Sequence, residues 1–100
     1  KLDVRLVEVA LGNLLRNAVD HAGGVRSIAI EDGVARIRDT GSGFPARLIE
    51  DGPTPFGAGA DSRGAGVGLS LVALIAELHG GALELRNHSD GGEAILRLRP

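Results

Sequence analysis

Three clusters of residues carry the chemistry this sequence can offer. Asn13 and Asn17 stand four apart, and Asp20 and His21 continue the same stripe on one side of a helical repeat. Asparagine is a poor choice inside a helix, because its side chain competes for backbone hydrogen bonds, so two on one face ask for a reason. A solvated helix face is the plain reading. The chemical one is an amide oxygen that ligates magnesium, an ion that takes one or two protein oxygens and completes its shell with water and substrate phosphates. The second cluster, Asp39-Thr40-Gly41-Ser42-Gly43, puts a carboxylate at the end of a β-branched run, followed by two glycines. That carboxylate could accept a hydrogen bond from an exocyclic amine such as adenine N6, while the glycines let the backbone lie close to a flat ring. An Asx turn after a strand would look the same. The third, Gly64-Ala65-Gly66-Val67-Gly68, opens an apolar helical stretch, where exposed backbone N–H groups at the positive helix end can meet a polyphosphate. A hinge would also use these glycines. Their spacing, and the long loop before them, exclude a Rossmann fingerprint. Lys1 is the one lysine, which excludes a P-loop ending in Gly-Lys-Ser/Thr.

The elements that must position these clusters follow from periodicity. Apolar residues recur at helical spacing from Leu2 to Ala22, and Gly23-Gly24 ends the repeat; the expectation is one helix of about 20 residues. Gly12 inside it hints at close approach by a neighbouring element. Val25 to Ile30 and Val34 to Asp39 are short strands joined by Glu31-Asp32-Gly33, a hairpin composition. By the period of two, Asp39 shares a face with Ala35 and Ile37, so a carboxylate points toward the core side and needs a partner or a cavity. Thr40 to Gly64 reads as a loop with a possible helical turn at Ala46 to Glu50, longer than an idle connection. Val67 to His79 is apolar nearly all round, a buried helix ended by Gly80-Gly81. Ala82 to Arg86 and Glu93 to Arg99 form a second hairpin around Asn87 to Gly92. The order helix, hairpin, loop, helix, hairpin specifies an α+β fold, a two-layer α/β sandwich with helices on one face of a mixed or antiparallel sheet.

Composition narrows the function classes. One hundred residues make a single domain, and the absence of Cys excludes disulfides, thiolate catalysis and cysteine-held metals. Two Phe and no Trp or Tyr leave no stacking platform for single-stranded nucleic acid. A net charge of -2, from 11 basic and 13 acidic residues, supplies no basic footprint for a duplex. No apolar run approaches the roughly 20 residues needed to cross a bilayer, so this segment is expected to make no membrane contact. Sixteen glycines without a collagen period point to backbone geometry as their use.

The three clusters in this order resemble the ATP-binding catalytic domain of bacterial sensor histidine kinases, which belong to the Bergerat-type superfamily shared with gyrase and the mismatch-repair ATPases. Asn13-Leu14-Leu15-Arg16-Asn17-Ala18 is similar to the asparagine box, Asp39 to Pro45 to the first glycine box, and Gly64 to Leu69 to the second. His79-Gly80-Gly81 and the run from Gly91 to Pro100 resemble the family's tail, so the likeness covers the whole chain.

The resemblance implies a Bergerat fold whose cofactors are ATP and magnesium. Asn17 would ligate the ion, with Asn13 one turn earlier in the pocket. Asp39 would read the adenine amino group, with Gly41 and Gly43 shaping that wall, and His21 would lie near the base or ribose. Gly64, Ala65, Gly66, Val67, Gly68 and Leu69 would line the phosphates through the backbone. Residues 44–63 would be the ATP lid, with Pro55-Phe56 as the remnant of its phenylalanine box and Arg63 as the contact to the γ-phosphate. Asp20 stands where a basic residue is common, and an acid there repels phosphate unless magnesium or an Arg intervenes.

The implied activity is ATP-dependent histidine phosphorylation within two-component signalling. The acceptor His would lie on a separate dimerisation domain absent from this chain, with a response regulator engaged through that domain. The implied setting is the cytoplasmic part of a membrane-anchored parent. None of His21, His79 and His88 is expected to be the acceptor: His79 ends a helix where a cation is favourable and His88 falls in a turn, so both read as structural or solvated. Asn13 is an amide where hydrolytic members carry a Glu base, which favours transfer over hydrolysis. The rival readings are a serine kinase of the anti-sigma-factor type and an inactive nucleotide-binding interaction module.

Overall fold

A computed structural model describes residues 2–21, 23–52 and 65–99 of the chain. Seven elements follow one another: α1 (Val4–His21), β1 (Val25–Glu31), β2 (Val34–Asp39), α2 (Ala46–Asp51), α3 (Ala65–Leu78), β3 (Ala82–His88) and β4 (Gly91–Arg97). The strands form one sheet in the order β1-β2-β4-β3, with every pairing antiparallel among the described residues. Of the two options open from the sequence, mixed or antiparallel, the described strands take the second.

The two hairpins are made differently. Between β1 and β2 the turn residues Asp32 and Gly33 both have positive φ, 51° and 77°, the twist-matched geometry that an Asp-Gly pair favours. Between β3 and β4 the turn is only Ser89-Asp90, since His88 pairs with Gly91 and Asn87 with Gly92. The expected loop from Asn87 to Gly92 is therefore mostly strand. Gly91 and Gly92 read as loop residues by composition, yet they are extended residues that lie against Asp39. A Cβ on Gly91 would collide with the Asp39 carbonyl oxygen, and one on Gly92 would sit 3.1 Å from Asp39 Oδ2.

α1 and α3 pack side by side over one face of the sheet, α1 on β2 and α3 on β3. Their buried residues, Ala10, Leu14 and Ala18 from α1 and Leu69, Val72, Ile75 and Ala76 from α3, meet Ala35, Ile37, Leu85, Ala94 and Leu96 from the sheet. Burial of these side chains is the main source of stability, at about 1.5–3 kcal/mol for each large aliphatic group. The edge strand β1 is exposed along its whole length, although Ile28 and Ile30 stand opposite Ile37 and Ala35 on the helix side.

Capping sharpens the ends of α1. Asp3 Oδ1 accepts hydrogen bonds from the backbone N–H of Arg5 (3.0 Å) and Leu6 (3.2 Å), an N-cap that starts the helix at Val4 instead of Leu2. The Asp3 N–H donates in turn to Nε2 of His79 at 2.9 Å, and His79 Nδ1 lies 2.8 Å from the Ile75 carbonyl oxygen. An accepting Nε2 requires a neutral ring with its proton on Nδ1. His79 is buried and ties the start of α1 to the end of α3. Of the two readings open from the sequence, structural or solvated, His79 takes the first, as a buried crosslink. At Gly12, the nearest atom an added Cβ would meet among the described residues is in the Arg16 guanidinium of the same helix, at 3.4 Å.

Candidate functional site

One of the two helices that bury the core, α1, also presents the polar stripe. Asn13 and Asn17 are half-buried, while Asp20 is exposed. Asn13 uses Nδ2 to donate to the Val9 carbonyl oxygen at 2.8 Å, which satisfies the amide within its own helix. Its Oδ1 lies 3.4 Å from the Cβ position of Gly68, so the first turn of α3 rests beside the asparagine stripe. Two of the clusters singled out by sequence are therefore adjacent in space.

Asn17 is different. Its Oδ1 is buried and has no hydrogen-bond partner among the described residues. An orphaned amide oxygen costs about 1–3 kcal/mol when it is left unpaired, and a cation would satisfy it. The donor set fits magnesium, a hard ion that prefers oxygen.

Asp39 ends β2 on the core side, where strand alternation puts it with Ala35 and Ile37, and it is only 4% exposed. Oδ1 accepts from the backbone N–H of Gly41 and of Gly92, each at 2.9 Å. The first of these is the Asx turn that composition suggested, and it coexists with burial of the carboxylate. The second comes from a residue that sequence reasoning placed in a loop and gave no role. Two fixed donors on one oxygen orient the carboxyl plane. Phe44 closes this corner: its ring lies against Gly92, where an added Cβ would be 2.9 Å from Cε2.

The opposite face of the sheet carries a second buried carboxylate. Glu93, 6% exposed, is bonded by His88 Nε2 (2.7 Å) and more loosely by Arg36 Nη1 (3.5 Å). Burial pushes its carboxyl upward, but the bonds from His88 and Arg36 outweigh that and hold it below the ordinary range. His88, expected in a turn, is thus the last residue of β3 and is bonded to Glu93. Farther along the face, Arg86 and Arg97 hold the carboxyl of Glu84 below its ordinary range. Arg38 Nη2 reaches Asp90 Oδ1 at 2.6 Å, and Arg26 Nη2 donates to the Asp90 carbonyl oxygen at 3.1 Å, so both arginines hold the β3–β4 turn.

Several expected site residues have no described side-chain geometry. Arg63, Gly64 and the lid residues 53–63, Pro55-Phe56 among them, lie outside the described residues. His21 is the last residue of α1, and Ala65, Gly66 and Val67 form the first turn of α3, which starts within the glycine cluster and not at Val67. The Leu69 side chain, 1% exposed, belongs to the core, which leaves only its backbone for a ligand.

The antiparallel sheet with two helices packed on one face matches the architecture of histidine kinase catalytic domains. The chain belongs to the histidine kinase-, DNA gyrase B- and HSP90-like ATPase family, whose model matches residues 2–100. Sensor protein CseC of Streptomyces avermitilis is 40% identical over 93 residues, which is 90% of this chain and 19% of that protein. Sensor-type histidine kinase PrrB of Mycobacterium tuberculosis is 37% identical over 100 residues, covering 92% of this chain and 22% of that protein. The chain spans about a fifth of the length of these relatives. Among solved structures, the nucleotide-free catalytic domain of histidine kinase ThkA superposes with a TM-score of 0.70 at 26% identity, over 97% of this chain and 68% of that one. Full-length ShkA, solved in complex with AMPPNP, superposes with a TM-score of 0.69 at 27% identity, over 93% of this chain and 21% of that one.

Proposed function

We propose that this domain binds Mg-ATP and presents its γ-phosphate to a histidine on a separate dimerisation domain of the parent protein. The observation that carries the reading is the orphaned Oδ1 of Asn17, with the carboxylate of Asp39 preoriented on the same side of the sheet. Asp39 would accept the adenine amino hydrogen, a recognition that needs a fixed carboxylate in a dry setting. Gly41 and Gly43 would let the base lie close to the backbone. Asn17 would hold magnesium, which when bound supplies positive charge against the phosphates. Asn13, already bonded to Val9, would shape the space between α1 and α3. The backbone of Gly64 to Leu69 would face the phosphates at the start of α3, and Arg63 would meet the γ-phosphate. His21 would border the base or ribose, and residues 44–63 would act as the lid.

Phosphoryl transfer asks the protein chiefly for position and charge neutralisation, so the chain needs no nucleophile of its own. Asn13 is an amide and cannot act as a base toward water, which supports transfer over hydrolysis. The response regulator would be engaged through the acceptor domain, and the domain would work on the cytoplasmic side of a membrane-anchored parent. No described helix is itself long and apolar enough to cross a membrane.

The test is calorimetric titration with ATP and ADP, with and without magnesium. Saturable binding that magnesium strengthens is expected. Asn17→Ala should abolish the strengthening, about tenfold in affinity, and leave metal-free binding unchanged. An equal loss in both conditions would remove Asn17 from the metal.

A further inference from the structure

We infer that Asn87 is a positioning residue for the nucleotide pocket, holding the far end of the loop whose near end Asp39 holds. The inference rests on the nucleotide reading above. Asn87 lies on β3 opposite Gly92, outside all three clusters. Its side-chain amide makes both hydrogen bonds that a neighbouring strand would make to one residue. The Phe44 backbone N–H donates to Oδ1 at 2.7 Å, and Nδ2 donates to the Phe44 carbonyl oxygen at 3.0 Å. Two parallel bonds from a planar amide fix both the place and the orientation of the Phe44 backbone. The approach is close enough to require glycine one residue earlier, where a Cβ on Gly43 would come within 2.6 Å of Asn87 Oδ1.

The contacts form a closed circuit. Asn87 holds Phe44, the Phe44 ring covers Gly92, and the Gly92 N–H meets Asp39 Oδ1, which also binds the Gly41 N–H. The segment from Asp39 to Phe44, with Gly41 and Gly43 inside it, is thereby pinned at both ends. A loop with two glycines loses much freedom when a ligand orders it, and a second pin removes part of that cost before the ligand arrives. Asn87 is exposed, so water can replace its bonds when it is removed. Its loss should therefore appear in the order of the loop and in nucleotide affinity more than in global stability.

The experiment compares the wild-type chain with Asn87→Ala and Asn87→Asp by ADP titration, thermal melting and amide hydrogen exchange. For Asn87→Ala we expect about 3- to 10-fold weaker ADP binding, faster exchange confined to residues 41–44, and a Tm within a few degrees of wild type. Asn87→Asp keeps an acceptor for the Phe44 N–H but sets a carboxylate oxygen against the Phe44 carbonyl. It should therefore weaken ADP binding as well while retaining part of the protection at Phe44. Unchanged ADP affinity in both variants, with the wild type binding, overturns the positioning role. A lower Tm with faster exchange across the whole sheet also overturns it, because Asn87 would then be a structural residue only. Absence of ADP binding by the folded wild type refutes the nucleotide reading itself, and the role of Asn87 falls with it.

Discussion

The sheet carries one buried carboxylate on each face, and their surroundings differ. Glu93 meets two cationic or titratable side chains, His88 and Arg36. Asp39 meets backbone N–H groups, those of Gly41 and Gly92, among the described residues. Both have escaped water, so both need compensation. Arg36 and the His88 ring compensate Glu93 within the fold, and their bonds hold its carboxyl below the ordinary range. Backbone N–H groups, and no side-chain cation among the described residues, orient Asp39. The contrast separates a carboxylate used for stability from one that, on the nucleotide reading proposed above, is prepared for a ligand.

The sharpest way to break the comparison is Asp39→Asn. The amide oxygen can still accept from Gly41 and Gly92, so the fold should persist while the charge-assisted bond to a ligand amine is lost. Adenine nucleotide affinity should fall about 10- to 100-fold with or without magnesium, as titration calorimetry would register. Affinity equal to wild type would make Asp39 a second structural carboxylate.

The converse change, Glu93→Gln, should leave nucleotide affinity intact and lower stability at neutral pH by about 1–2 kcal/mol in urea unfolding. Glu93 also predicts a pH dependence. Its folded-state carboxyl titrates below the ordinary value of 4.5, so its contribution is complete above that value. The contribution is lost as pH falls from about 4.5 through the lower folded-state value. Wild type and Glu93→Gln should therefore converge in stability in acid; a constant difference between them down to pH 3 would contradict the ion-pair account.

The smallest effect belongs to the exposed turn clamp. Asp90→Ala removes the carboxylate paired with Arg26 and Arg38, whose exposed setting limits the loss to about 0.5–1 kcal/mol, screened further by salt. Thermal melts at low and high salt should differ less in the variant than in wild type. A loss of several kcal/mol would mean that the turn carries the Gly91-Gly92 approach to Asp39 and couples the two faces.

What the sequence determined by itself is what depends on neighbours a few positions away. The 3.6-residue repeat of α1, the Asp32-Gly33 hairpin, the inward direction of Asp39 beside Ile37 and the nearly all-apolar α3 follow from local periodicity and turn chemistry. The identities of Asn13, Asn17 and Asp39 as candidate site residues were legible for the same reason, since each breaks a local pattern. The tertiary structure decided the contacts between residues far apart in the chain. Gly92 serves Asp39 across 53 residues, Asn87 holds Phe44 across 43, and His79 ties the Asp3 N–H across 76. Glycine pairs, asparagines and histidines look alike in a turn and at a close approach, because composition records which conformations a residue permits and not which atoms will lie against it. Only the pairing of β4 between β2 and β3, with α1 laid beside α3, brings those permissive residues against the atoms they contact.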